Sequence, residues 1–250
     1  MGLKQQFTKY ATVLLIMTAQ NLIIELKKLA NPQKAKVLQG FFKTGQSQYG
    51  AGDVFWGITV PAQRKIAKSF KDLTLTEVKK LIYSSVHEQR LTGLLILVYQ
   101  YEQADQNEQN KIFEFYFKHR TQVNNWDLVD VTTPKIVGQH ILNKPELQPQ
   151  VFALINSTNL WDRRIALLAT FPFIKKEIFQ PTLSLATKVL ADQHDLIHKA
   201  SGWMLREVGK MQKKPLLDFL DKHKQKMPRT MLRYAIEKLA EPVRKKYLAK

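Results

Sequence analysis

Trp126 and Asp130 stand four residues apart, so on one α-helix they share a face, while Asp127 points elsewhere. Arg164 follows Trp126 by 38 residues, and Trp203 follows Arg164 by 39. Two indoles, a carboxylate and a guanidinium make a chemically coherent set. Indole faces attract cations, a carboxylate stabilises a developing positive charge, and a guanidinium pairs with an anion through its planar fork. The same spacings have a second reading, in which both tryptophans are core residues and Asp130 is a capped or paired surface acid.

For these side chains to meet, the chain must repeat itself about every 38 residues. Apolar residues at three- and four-residue steps predict helices over 60–70, 75–83, 89–101, 109–117, 148–155, 161–168, 179–190, 196–208, 215–220 and 230–239. The short connections carry the breakers Asn31-Pro32, Lys144-Pro145, Phe171-Pro172, Lys214-Pro215 and Met227-Pro228. No useful run alternates as a strand does, so the chain is expected to be all-α. His87, Asn124, Asp162, Ile197 and Pro228 each begin a short stretch that opens one of these helices, at steps of 37, 38, 35 and 31 residues. Such steps suggest degenerate two-helix repeats, which bury their apolar faces only by stacking. The expected architecture is a HEAT-like helical-repeat α-solenoid, a superhelix whose concave face collects the helix openings. A plain helical bundle is the alternative.

The composition sets the partner class. The chain has 250 residues with 39 Lys and Arg against 21 Asp and Glu, a net charge of +18. Half of that excess lies in the last fifty residues, with 14 basic against 5 acidic side chains. A surface for a polyanion explains such self-repulsion economically, and the concave face is expected to be basic. With 44% apolar and 24% charged residues the chain has the make-up of a folded domain. It contains no cysteine, which excludes disulfides, Cys-ligated zinc, iron–sulfur clusters and thiol nucleophiles.

Several other signals are weak. Lys4, Lys9 and the apolar run Tyr10–Met17 resemble a short signal peptide, but the run is far too short to span a membrane. It leads into an amphipathic stretch over 21–28, and Met17 is an alternative start. Residues 1–19 are therefore read as an extension or the start of the first helix, and residues 20–250 as one domain in the cytoplasm. His194 and His198 have the spacing of a metal pair, but the Glu that would follow the first His and a third ligand are both missing. Gly50-Ala-Gly52 lacks the phosphate-loop context, and the basic run 222–229 is an ordinary solvated segment that could also meet phosphates.

Taken together, four segments resemble the AlkD-like DNA alkylation repair glycosylases. They are Asn125-Trp-Asp-Leu-Val-Asp130, Trp161-Asp-Arg-Arg164, Lys199-Ala-Ser-Gly-Trp-Met-Leu-Arg-Glu207 and Gly52-Asp-Val-Phe-Trp-Gly-Ile-Thr-Val-Pro-Ala-Gln-Arg64. The likeness runs over roughly residues 20–248 and keeps the order and spacing of the motifs. It implies a HEAT-like superhelix that excises cationic N-alkylated purines, of the 3-methyladenine and 7-methylguanine types, from double-stranded DNA. It further implies no cofactor, no membrane, a monomer, and action on nucleoid-associated DNA. Asp130 matches the family's catalytic aspartate, and Trp126 and Trp203 match its two tryptophans beside the lesion's deoxyribose. Arg164 matches the arginine on the DNA backbone, with Arg206 and Lys199 as further DNA-binding positions. The family's polar N-terminal DNA contacts find no match around Tyr49 to Thr59, so lesion selectivity is not implied. The other class of function is a helical-repeat module, weakly active or inactive, that binds DNA or another nucleic acid.

Overall fold

A computed structural model describes residues 17–249. Among these every regular element is a helix, and the one β feature is an isolated bridge between Val54 and Val86. The signal-peptide-like run before Met17 lies outside the described residues. Thr18 caps α1 (Ala19–Lys27) by accepting from the Asn21 amide. Asn31 does the same for α2 (Pro32–Phe41), and α3 (Val60–Ser69) and α4 (Leu75–Ile82) follow.

Five helices then form a row along the chain. They are α5 (His87–Gln103), α7 (Trp126–Thr132), α10 (Leu160–Leu168), α13 (Asp195–Met211) and α15 (Arg229–Ala235), each packed on the next. They begin at residues 87, 126, 160, 195 and 229, steps of 39, 34, 35 and 34. These starts fall within three residues of the five expected openings. Behind them lie α6 (Gln106–Lys118), α8 (Gln139–Asn143), α9 (Gln148–Phe152), α11 (Phe171–Lys175), α12 (Gln180–Lys188) and α14 (Lys213–His223), and α16 (Glu241–Leu248) ends the chain. The chain is an all-α array of stacked helical repeats.

The capping chemistry explains why α7 and α10 begin where they do. Asn125 accepts from the Trp126 amide and Asn159 from the Trp161 amide, satisfying donors that a helix start leaves free. α5 differs because every residue from His87 to Val98 is buried, so it is the spine of the N-terminal half and shows no polar face. α13 and α15 meet at Gly202, where a Cβ would come within 2.5 Å of the Met231 carbonyl oxygen. Only glycine permits that approach, and it sits beside Trp203.

Two expectations need correction. Three of the proline pairs expected in connections lie at helix starts instead, where proline is tolerated because the amides are unpaired anyway. Asn31-Pro32 is the cap and first residue of α2, Phe171-Pro172 opens α11, and Lys214-Pro215 falls in the first turn of α14. No residue of α2 is buried, so the helix has no inward stripe to betray it; Val37 and Phe41 are 69% and 62% exposed. The stretch 148–155 is not one helix but the short α9 followed by a 3-10 turn over Ala153–Asn156.

Candidate active site

α7 is clamped from both sides by its own acids. Towards α5, the Asp127 carboxylate takes a 2.8 Å hydrogen bond from His87 Nε2, and towards α10, Asp130 takes two from Arg164. Those two bonds run from Nε and Nη2 to the two carboxylate oxygens at 2.8 and 2.7 Å, a bidentate fork. Arg164 Nη1 also donates to the Leu196 carbonyl at 2.5 Å, so one guanidinium ties α7, α10 and α13 together. Burial pushes the Asp130 carboxyl above the ordinary aspartate value, and the charge and hydrogen bonds of Arg164 oppose that shift.

Trp126, Asp130, Arg164, Lys199, Trp203 and Arg206 all line one cleft of about 440 Å³. The stacked repeats therefore bring the six residues expected at the site onto one cleft. Asp130 and Trp203 also border a second, larger cleft of about 660 Å³, whose lining includes Arg64, Lys135 and Lys175. The carboxylate and one indole thus stand where the two clefts meet. Three cations of the first cleft, Arg164, Lys199 and Arg206, have acidic partners. Lys199 Nζ lies 2.7 Å from Asp195, and Arg206 pairs with Glu237. Trp203 Nε1 donates to Glu207 Oε1 at 3.3 Å, which fixes the plane of its ring.

Trp126 is oriented by a different device. Its indole stacks on Phe42 at 5.0 Å, Phe42 on Phe55 at 4.9 Å, and Phe55 on the His87 imidazole at 4.5 Å. At the end of this pile His87 Nδ1 meets Asp53 at 3.1 Å, and Arg90 Nη2 donates to Asp53 at 2.6 Å. Asn125 Nδ2 donates to the same carboxylate, so Asp53 holds the residue that caps α7. Burial alone would lower the His87 pKa, but the charge and hydrogen bond of Asp127, with help from Asp53, raise it to about 9. Burial works against ionisation of Asp53 as well, yet hydrogen bonds from His87 and the charge of Arg90 hold its carboxyl below the usual range.

Glu88 completes the platform. Its carboxylate accepts from the amides of Trp56, Gly57 and Ile58, pinning the segment that carries Asp53 and Phe55. Gly57 has φ 80° and lies against the Asn31 carbonyl, where a Cβ would come within 2.1 Å. Sequence reasoning did not single out Asp53, Phe42, His87 or Arg90 as site residues. The signal available was the segment 52–64, quoted for its likeness and not for its chemistry. Phe41, Lys43, Tyr49 and Tyr234 also line the first cleft. The histidine pair is spent locally: His198 Nε2 lies 2.5 Å from the Asp192 carbonyl oxygen, and His194 Nδ1 accepts from the Leu196 amide.

The sequence matches the family model for DNA alkylation repair enzymes over residues 22–239. This chain belongs to the DNA alkylation repair enzyme family. The fold is shared with a predicted DNA alkylation repair enzyme from Enterococcus faecalis, at TM-score 0.67 and 19% identity over 85% of this chain and 97% of that one. It is also shared with AlkD2 from Streptococcus mutans, at TM-score 0.53 and 16% identity over 84% and 98% of the two chains. No curated protein sequence matches. A family acting on DNA accounts for the basic composition, and no described helix is long and apolar enough to cross a membrane.

Proposed function

We propose that this family member is a monofunctional DNA glycosylase that hydrolyses the N-glycosidic bond of cationic N-alkylated purines in duplex DNA. The observation that carries the reading is the convergence of Asp130, Trp126 and Trp203 on one cleft rimmed by Lys199 and Arg206. A purine alkylated at N3 or N7 already bears positive charge, so it departs without strong acid catalysis. Positive charge then builds on the deoxyribose. Asp130 stabilises that cation and orients the attacking water, because a preorganised carboxylate opposite the developing charge needs no rearrangement during the reaction. The indole faces of Trp126 and Trp203 add cation–π attraction to the same sugar.

Lys199 and Arg206 are assigned to backbone phosphates, which position the duplex without reading its sequence. The chemistry needs no Schiff base and no cofactor, so strand cleavage is not expected. The protein acts as a monomer on DNA in the cytoplasm. Duplex DNA carrying 7-methylguanine, incubated under single-turnover conditions, should release the free base, and the absence of release would remove the glycosylase reading. A second reading, a repeat module that binds DNA without excising bases, draws on one observation. Asp130 is neutralised by Arg164, as a purely structural ion pair would be.

A further inference from the structure

We infer that Arg164 is a positioning residue for Asp130, holding that carboxylate in one orientation and in its charged form, and that the grip on phosphate lies with Lys199 and Arg206. The inference deepens the glycosylase reading and rests on it for its catalytic consequence. Three of the guanidinium's N–H groups are already spent, two on Asp130 and one on the Leu196 carbonyl, and the residue is 4% exposed. Reaching a phosphate with the full fork would mean breaking those bonds and leaving a buried carboxylate unpaired, a costly exchange. Lys199 and Arg206 differ. Their partners Asp195 and Glu237 are exposed, and such pairs contribute little, so either bond is exchanged for one to phosphate at small cost, with Arg206 still steadied by buried Glu207 at 3.6 Å.

Among the charges about Asp130, that of Arg164 favours the ionised form, while Lys199 and Arg206 of the same cleft are engaged by Asp195 and Glu237. Asp127, on the same helix, is a like charge that favours the neutral acid. Across the larger cleft, Lys135 is bound to Glu102 and Lys175 lies near Glu207, which leaves Arg64 and Lys176 in its lining. In the smaller cleft, Lys43, Tyr49 and Tyr234 complete the lining. Among the described residues, Arg164 is the side chain hydrogen-bonded to the Asp130 carboxylate. Without it, burial drives Asp130 towards the neutral acid, which has no charge to offer a sugar cation.

The test uses the full chain with Arg164→Gln and Arg164→Lys, checked for folding by circular dichroism. Single-turnover release of 7-methylguanine is followed from about pH 5 to about pH 8, and duplex binding is measured over a series of salt concentrations. For Arg164→Gln the acid limb should move up by a pH unit or more, and excision should recover as pH rises, while affinity stays within about threefold and its salt slope is unchanged. Arg164→Lys should move the limb back towards its original place. An unmoved limb together with weaker binding and a salt slope reduced by about one would show a phosphate grip and overturn the inference. A second readout does not depend on activity: carbon-13 NMR of the Asp130 carboxyl in DNA-free protein, assigned with Asp130→Asn. Its midpoint should rise in Arg164→Gln, or, should that variant not fold, rise less far in Arg164→Lys. An unmoved midpoint overturns the positioning role. A moved midpoint in a protein that releases no base leaves that role standing and removes the glycosylase reading alone.

Discussion

The two aspartates of α7 are almost equally shielded, with side chains 11% and 16% exposed, yet they have opposite prospects. Asp127 faces His87 at the foot of a pile of aromatic rings, and its other oxygen accepts from the Leu128 amide. Asp130 faces Arg164 on the floor of two clefts. Both acids are paired, so neither pairing nor burial separates them. What separates them is the kind of space beside each. Asp127 borders a cavity of about 240 Å³ walled largely by apolar side chains such as Val37, Phe55 and Ile58, whereas Asp130 borders larger clefts rimmed by cations and indoles. A charge acts on an anionic duplex or a sugar cation only where the surrounding wall also suits that ligand.

The largest expected effect tests the Asp127 side. His87→Ala leaves Asp53 and Asp127 close together, with Arg90 as the remaining buried counter-charge, and breaking such an arrangement costs about 3–5 kcal/mol. For a chain of this size that lowers Tm by roughly 6–20 °C, readable by calorimetry. A shift of only a degree or two would mean that the network contributes nothing to stability.

Asp130→Asn tests the open side. Excision should fall by about two to three orders of magnitude, the scale of removing one preorganised electrostatic group, while DNA affinity holds or rises because a negative charge has left the cleft. The swap also deprives a buried guanidinium of its counter-charge, so stability should fall by about 1–3 kcal/mol. Asp127→Asn should do the converse, lowering stability while excision by the folded fraction changes only a few-fold. Equal losses of excision at both positions would erase the contrast between them.

The pH dependence of stability sharpens the comparison. His87 has a pKa of about 9 in the folded protein against an ordinary value of 6.5, so folding favours the protonated ring. The resulting stabilisation, on the order of 3 kcal/mol, is complete below about pH 6.5 and is lost as pH rises through about 9. Urea unfolding at intervals across that window should show the decline, and His87→Ala should flatten it. The smallest effect is at the rim. Trp203→Ala should reduce excision by about 1–2 kcal/mol of barrier, the size of one cation–π face, and the folded fraction must be measured alongside because the indole also packs against the core. Full activity would reduce Trp203 to a packing residue.

The legible part of the fold was whatever repeats locally. Trp126 and Asp130 share a face because a helix turns every 3.6 residues, and Asn125 announces a helix start through its own side chain. α2 was missed for the complementary reason: a helix with no buried side carries no apolar period to read. The role of His87 was equally hidden, because a histidine opening an apolar helix does not announce two acids at opposite ring nitrogens.

By itself, then, the sequence determined most of the helices, their recurrence and the cohort of side chains on the inner row. Those follow from periodicity, caps and spacing, which act over a few residues. Only the tertiary structure decided which charge answers which. Asp130 finds Arg164 34 residues away, Asp127 finds His87 at 40, and Asp53 finds Asn125 at 72. Partner choice at such separations depends on how closely stacked helices approach, and on the rings and the glycine that set that approach. Contacts between distant segments establish it, and no local pattern encodes them.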